Sequence, residues 1–267
     1  MKSALIGYTG FVGTNIHAVQ PFDDLYNSSN IGDIAGREYD LVVSAGNRAD
    51  SHRINTHGAE DRREIDGLVD LVLQARIRKL VLISTVCVYP EGGSPDEGTP
   101  LTEDGLTPYG VNRLHQERRL AASVDTTIVR LPQLYGNGLK KGVVYDLLND
   151  YRVEYIRPQT EFQHYDVRRL WRDISTALDA GLESFNVATP PIANEDLARE
   201  VFGRDIADQE PLTPESPFAQ MYTRNMTTRH AELFAGSGPY LLSREDELAG
   251  LKAFVAEARS DQTRRRG

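Results

Sequence analysis

Three glycines, Gly7, Gly10 and Gly13, follow directly on a short apolar run, Ala4-Leu5-Ile6, and constrain this chain more than any other feature. A strand that breaks into so glycine-rich a turn passes into a helix without Cβ atoms in the way, and Phe11, Val12, Ile16 and Val19 supply that helix with an apolar stripe. Backbone N–H groups at the helix start then stand open to a ligand, and the helix dipole favours negative charge there. The turn, with Thr9, Gly10, Phe11 and Val12 along it, is therefore read as a seat for the pyrophosphate of a dinucleotide rather than as an ordinary tight turn.

The rest of the chain supports that placement. Apolar runs at Ala4–Ile6, Asp40–Ser44, Lys79–Ser84 and Thr126–Leu131 are continuous in Val, Ile and Leu, as expected of parallel strands buried on both faces. Between two of them, Glu64–Arg76 carries apolar residues at helical spacing. Alternation of this kind predicts an α/β fold: a Rossmann-type, doubly wound parallel sheet over residues 1–135, completed by about 160–190. After Leu131 the pattern gives way to glycine-rich loops, a short strand at Phe185–Ala188 and helices at Asn194–Phe202 and Ser243–Arg259. These predict a small, mainly helical substrate lobe, formed by 136–159 and 190–260, over the C-terminal edge of the sheet, with a ligand between the two. Residues 261–267, ending in Arg264-Arg265-Arg266, read as a frayed tail.

Composition narrows the function classes. With 30 Lys and Arg against 39 Asp and Glu the net charge is −9, which argues against a nucleic-acid partner. No apolar stretch approaches the roughly 20 residues of a membrane span. A single cysteine, Cys87, excludes an internal disulfide and a cysteine-rich zinc site, so no metal is expected and a cytoplasmic location fits. The partner expected is a small molecule.

Chemistry-bearing residues gather at the end of the predicted central strand, in Ser84-Thr85-Val86-Cys87-Val88-Tyr89-Pro90, where open α/β sheets place their ligand crevice. Further on, Thr107-Pro108-Tyr109-Gly110-Val111-Asn112-Arg113 opens a helix, since Pro108 suits its first turn. Tyr109 and Arg113, one turn apart, then share a face. A hydroxyl, a phenol and a cation are thereby brought toward one place.

With these motifs the chain resembles the extended short-chain dehydrogenase/reductase family of sugar-nucleotide epimerases, dehydratases and reductases. Gly7, Gly10 and Gly13 match its glycine motif, Ser84-Thr85 with Val88-Tyr89 its Ser-Ser-x-x-Val-Tyr strand, and Pro108-Tyr109 the start of its Tyr-x-x-x-Lys helix. Arg130–Gly136, Phe162–Asp166 and Phe185–Val187 are similar to later segments in the same order. The resemblance implies NAD or NADP as cofactor, a nucleotide sugar or related polyol as substrate, and the homodimer common in the family. It makes Tyr109 the acid/base and Thr85 the residue that polarises the reacting oxygen, and adds Ala45, Gly46 and Leu131 to the cofactor's surroundings. A free phenol has a pKa near 10; bringing it to neutrality takes about 4 kcal/mol, which one cation at about 4 Å supplies at an effective dielectric near 20. Arg113 is expected to be that cation.

Arg113 is also the departure, because it stands where the family has lysine, and a planar fork hydrogen-bonds differently from an ammonium. A weakly catalytic or retired NAD(P)-binding regulatory protein is the alternative this substitution raises. Cys87-Val88-Tyr89-Pro90 is similar to a run in GDP-fucose synthases whose cysteine assists epimerisation, but Gly138 occupies the place of the accompanying histidine. Val86 and Cys87 stand where 4,6-dehydratases carry Asp-Glu, which disfavours 4,6-dehydration. At the second strand's end Asn27, Ser28 and Ser29 are neutral, so a ribose 2′-phosphate meets no repulsion and NADP is favoured slightly over NAD. Lys140 and Lys141, with His164, Tyr165 and Arg168, are the candidate substrate contacts.

Overall fold

The computed structural model describes residues 1–209, 224–234, 236 and 238–266. In chain order its strands are β1 (Ser3–Ile6), β2 (Asp24–Tyr26), β3 (Glu38–Ser44), β4 (Arg76–Thr85), β5 (Thr126–Leu131), β6 (Gln133–Tyr135), β7 (Glu161–Asp166), β8 (Ser184–Asn186) and β9 (Pro191–Ala193). The helices are α1 (Phe11–His17), α2 (Ser51–Thr56), α3 (Gly58–Val72), α4 (Pro108–Ala121), α5 (Val143–Asn149), α6 (Leu170–Asp179), α7 (Asn194–Leu197) and α8 (Arg244–Arg266). They fall into two units. One comprises Met1–Pro90, Asp96–Leu131 and Val167–Asn186; the other comprises Glu91–Pro95, Pro132–Asp166 and Val187–Gly267. The chain leaves the first unit at Leu131, the last residue of β5, and returns to it at Val167 to supply β8.

The first unit is a six-stranded parallel sheet in the order β2-β1-β3-β4-β5-β8. Strand order reverses at β1, whose neighbours are β2 and β3, and this is the switch point at which open α/β sheets form a crevice. Right-handed crossovers in opposite directions put α1 on one face and α3 on the other. Period-two alternation fills both faces: Ala4, Ile6, Val42, Leu80 and Leu82 pack with Ile65, Val69 and Val72 of α3, while Leu5, Val43 and Val81 are equally buried. The α3 residues recur at helical spacing, which is why this segment is a helix. It ends at Val72, so Arg76, expected within it, begins β4 instead. Val19 falls beyond α1 and is 57% exposed, outside the stripe assigned to it.

The second unit carries a three-stranded sheet, β6-β7-β9, that the expectation of a mainly helical lobe missed. Its core packs Tyr135, Leu147, Phe162 and Ile192 against Leu251 and Phe254 of α8. That helix runs to Arg266, through the segment expected to fray, because its sequence is rich in the strong helix formers Ala, Glu, Leu and Arg. The Gln163 side chain works as a backbone surrogate: its Oε1 accepts from Met226 N–H at 2.8 Å and its Nε2 donates to the Met226 carbonyl at 2.7 Å. Among the described residues, no helix is long and apolar enough to cross a membrane.

Two buried ionisable groups in this unit give it a pH signature. Burial pushes the Glu247 carboxyl up to about 9 from 4.5, against the backbone N–H of His164, which donates to it at 3.0 Å. Burial likewise depresses the His164 imidazole to about 4 from 6.5. The folded Glu247 keeps a proton that the unfolded chain releases, so it costs stability increasingly as pH rises through that window; His164 costs stability as pH falls through its own. In urea denaturation, Glu247→Gln is expected to flatten the loss of stability between neutral and alkaline pH. His164→Gln is expected to flatten the loss on acidification. Parallel pH profiles for wild type and both variants would contradict this account.

Candidate active site

At the switch point, the β1–α1 turn is built around contacts that tolerate no side chain. Gly7 adopts φ +84°, and a Cβ there would lie 2.5 Å from the Ala45 carbonyl oxygen at the end of β3. A Cβ on Gly13 would lie 2.1 Å from the Gly7 oxygen. Gly10 differs: its nearest neighbour would be the Gly7 oxygen at 3.3 Å, and the residue is exposed together with Thr9. Gly7 and Gly13 therefore close the turn upon itself, while Gly10 keeps its outer side low. Phe11 and Val12 are half-buried behind it, and Gly46 is exposed beside Ala45.

Asn27 follows β2 and joins the turn through Tyr8, its Nδ2 donating to the Tyr8 hydroxyl at 3.3 Å. Its Oδ1 accepts from the Ser29 N–H and hydroxyl at 2.8 and 2.6 Å. Ser28 and Ser29 are exposed.

The second half of the site is assembled where α4 meets the end of β4. Thr85 closes β4 and caps the single helical turn Val86–Val88, its Oγ1 accepting from the Cys87 N–H at 3.2 Å. Leu131, its cross-strand partner, is buried. Thr107 caps α4 by accepting from the Gly110 N–H at 3.4 Å, and Pro108 occupies the first turn as expected. Gly110 is indispensable to the approach, since a Cβ there would lie 2.2 Å from the Cys87 carbonyl oxygen. Tyr109 N–H donates to Asn55 Oδ1 at 3.0 Å. The phenol is 9% exposed; Arg113 and Thr85 beside it favour its ionisation, and the Arg113 guanidinium lies over its ring, 4.6 Å from the centre.

Burial opposes the expected electrostatics. The Tyr109 phenol is held above its ordinary pKa: burial is the largest cause, the Arg113 charge pulls the other way, and Cys87 adds to the rise. Arg113 spends its charge elsewhere. Its Nη1 and Nη2 donate to the Asp61 carboxylate at 3.1 and 3.2 Å, and Nη2 also to the Arg48 carbonyl at 2.6 Å. Asp61, Asn55, Gly110 and Arg48 were all missed by the reading of the sequence. Only Gly110 left a local signal, as a glycine in the first turn of a helix.

The structure thus brings together Thr85, Cys87, Tyr109 and Arg113 in one group and Gly7, Gly10, Gly13, Ala45 and Gly46 in another, all within the first unit. The substrate candidates are dispersed. Arg168 is half-buried in the first unit, and Lys140 and Lys141 are exposed in the β6–α5 loop of the second. His164 and Tyr165 are 2% and 1% exposed. Both lie on β7, between β6 and β9 in the sheet of the second unit.

The family model for the NAD-dependent epimerase/dehydratase family matches residues 23–180, more than half of the chain. The chain belongs to this family. No curated protein gives a significant match. Solved structures share the fold over nearly the whole length. They include MoeE5 in complex with UDP-glucose and NAD (TM-score 0.74, 16% identity, 98% of this chain and 100% of that one). A dTDP-4-dehydrorhamnose reductase from Clostridium acetobutylicum aligns at TM-score 0.72 and 15% identity over 97% and 100%. The human epimerase family protein SDR39U1 with NADPH aligns at 0.72 and 17% over 96% and 99%.

For this family member, the glycine contacts separate fold from ligand seat. Gly13→Ala is expected to lose about 1–3 kcal/mol, because the carbonyl it strikes is backbone held at both ends. Gly10→Ala should cost under about 1 kcal/mol. Chemical denaturation of both variants checks the contrast, and equal losses would refute it.

Proposed function

We propose that this chain is an NAD(P)-dependent oxidoreductase or epimerase acting on a nucleotide-activated sugar or related polyol, with Tyr109 as acid/base and Thr85 polarising the reacting oxygen. The observation that carries the reading is the grouping of the Tyr109 phenol with the Thr85 hydroxyl and Arg113 at the end of β4, in the same unit as the glycine turn.

The residues present fit a nicotinamide dinucleotide. The turn is closed by Gly7 and Gly13 and left low at Gly10, and Arg113 Nε is a buried donor without a partner. Thr9, Gly10, Phe11 and Val12 would hold the pyrophosphate, with Ala45, Gly46 and Leu131 beside the rest of the cofactor and Arg113 in the place of the family's ribose-binding lysine. Asn27, Ser28 and Ser29 would meet the adenosine ribose. Their neutrality is the basis for favouring NADP slightly over NAD. When bound, the nicotinamide supplies or accepts the hydride.

The chain's own groups handle the proton. Tyr109 Oη gives it to, or takes it from, the substrate oxygen. Thr85 Oγ1 accepts from the Cys87 N–H, and its own proton is the one it would donate to that same oxygen. Lys140 and Lys141 remain the cations proposed for a substrate diphosphate, and Arg168 a separate candidate substrate contact. Cys87 is a neighbour of the phenol that opposes its ionisation.

Tyr109→Phe is expected to lower turnover by about 10²–10⁴-fold while leaving dinucleotide affinity largely intact. Dinucleotide binding is read by the shift in melting temperature with NAD and NADP, and turnover by screening nucleotide sugars with cofactor present. Absence of binding by either dinucleotide at millimolar concentration would remove the proposal. Unchanged turnover in Tyr109→Phe would remove its acid/base assignment.

A further inference from the structure

Asp61, on α3, meets Arg113 in a two-armed bridge, and Asn112 Nδ2 donates to the same carboxylate at 2.9 Å and to the Gly58 carbonyl at 2.8 Å. Asp61 is 5% exposed and Arg113 2%. Both guanidinium arms are therefore committed in a poorly solvated place, and the Arg48 carbonyl fixes the second arm again. The Arg113 guanidinium carbon lies over the Tyr109 ring, 4.6 Å from its centre. A cation whose counter-charge lies about 3 Å away acts on a third group as a dipole, whose field falls off faster than that of a lone charge.

Among the described residues, the surroundings offer no unpaired arginine or lysine as a replacement charge. Facing Tyr109 are Arg113 from its own helix and Cys87 from the turn after β4. Beside Asp61 a cleft is lined by Arg48, Arg53 and their neighbours; Arg48 is paired with Glu64 and Arg53 with Glu60, each at 3.1 Å. Asp50, in the same cleft, accepts from the Arg53 N–H at 3.2 Å, and His57 lies against Thr56 Oγ1 at 2.8 Å. Both arginines there already have their carboxylates.

We infer that Asp61 is a positioning residue that fixes Arg113 against the Tyr109 ring and takes up its charge, so that Tyr109 serves the site as a protonated phenol that gives its proton to the oxygen of a carbonyl substrate. The inference rests on the oxidoreductase reading above and deepens it: the substrate class it selects is the keto form of the sugar. In the step, the Tyr109 Oη–H bond breaks and an O–H bond forms on the substrate oxygen. The carbon of that carbonyl receives the hydride that the reduced dinucleotide supplies, and water reprotonates the phenolate. The burial that holds the phenol above its ordinary range acts in the same sense.

The test follows the phenol itself. Protein labelled with ¹³C at the tyrosine ζ carbon is titrated from neutral to strongly alkaline pH, and the Tyr109 resonance is identified by its loss in Tyr109→Phe. Wild-type Tyr109 is expected to stay protonated beyond about pH 10, where ordinary tyrosines ionise. Asp61→Asn should lower its midpoint by about one unit or more, a tenfold change, and move the alkaline limb of kcat/KM the same way. Asp61→Glu should keep both near wild type. Ionisation of wild-type Tyr109 near neutrality, or an unmoved midpoint in folded Asp61→Asn, overturns the inference. Should Asp61→Asn fail to fold, the double variant Asp61→Asn/Arg113→Gln decides. Its midpoint should match wild type, and a rise of about one unit or more overturns the inference by showing that Arg113 acts on Tyr109 as an unshielded cation. Dinucleotide binding is measured on the same samples: its absence removes the oxidoreductase reading and leaves the titration result standing.

Discussion

Glu117 on α4 and Arg130 on β5 form an ion pair inside the first unit, at 2% and 4% exposure, with Arg130 Nη2 to Glu117 Oε2 at 2.8 Å and Nε to Oε1 at 3.1 Å. Burying two charges gains little net stability, but removing one partner leaves the other uncompensated, at a cost of about 3–5 kcal/mol. The pair is extended on both sides. Ser84 at the end of β4 donates to Glu117 Oε1, and Arg130 Nη1 donates to the Tyr89 hydroxyl at 2.9 Å, which meets Asn186 of β8. One network thus registers α4 against the C-terminal ends of β4, β5 and β8. Tyr109, Arg113 and Glu117 recur every fourth residue and so share a stripe of α4. Anchoring Glu117 to the sheet therefore orients the phenol toward Thr85, two turns away.

Much of this was legible from local sequence. A glycine that must take positive φ, or that packs against a carbonyl, advertises itself by spacing, as Gly7 and Gly13 do. Strands buried on both faces show as unbroken apolar runs, and Pro108 marks a helix start wherever it falls. Asp61 was not legible. It stands in an ordinary acidic first turn of α3, and nothing in Glu60-Asp61-Arg62 says that one carboxylate turns inward to a residue more than fifty positions away. The second unit was obscure for a related reason: β6 and β9 are three residues each, too short for alternation to show. The burial of His164 and Tyr165 was not legible either, because it is set by long-range packing that their own segment does not encode.

Arginine at position 113 and aspartate at position 61 make sense together. A lysine ammonium is one compact charge: paired with Asp61, it would have its field absorbed at the only point from which it could act. The guanidinium is extended and planar. It places two N–H arms on the carboxylate and its central carbon over the Tyr109 ring, and its Nε is buried without a partner. The substitution that first suggested a failing site is accordingly one half of a matched pair. What the pair gives up is the power to draw the phenol toward ionisation at neutral pH. With Asp61 in the positioning role inferred above, what it retains is a buried phenol with its proton in place, suited to delivering a proton rather than removing one.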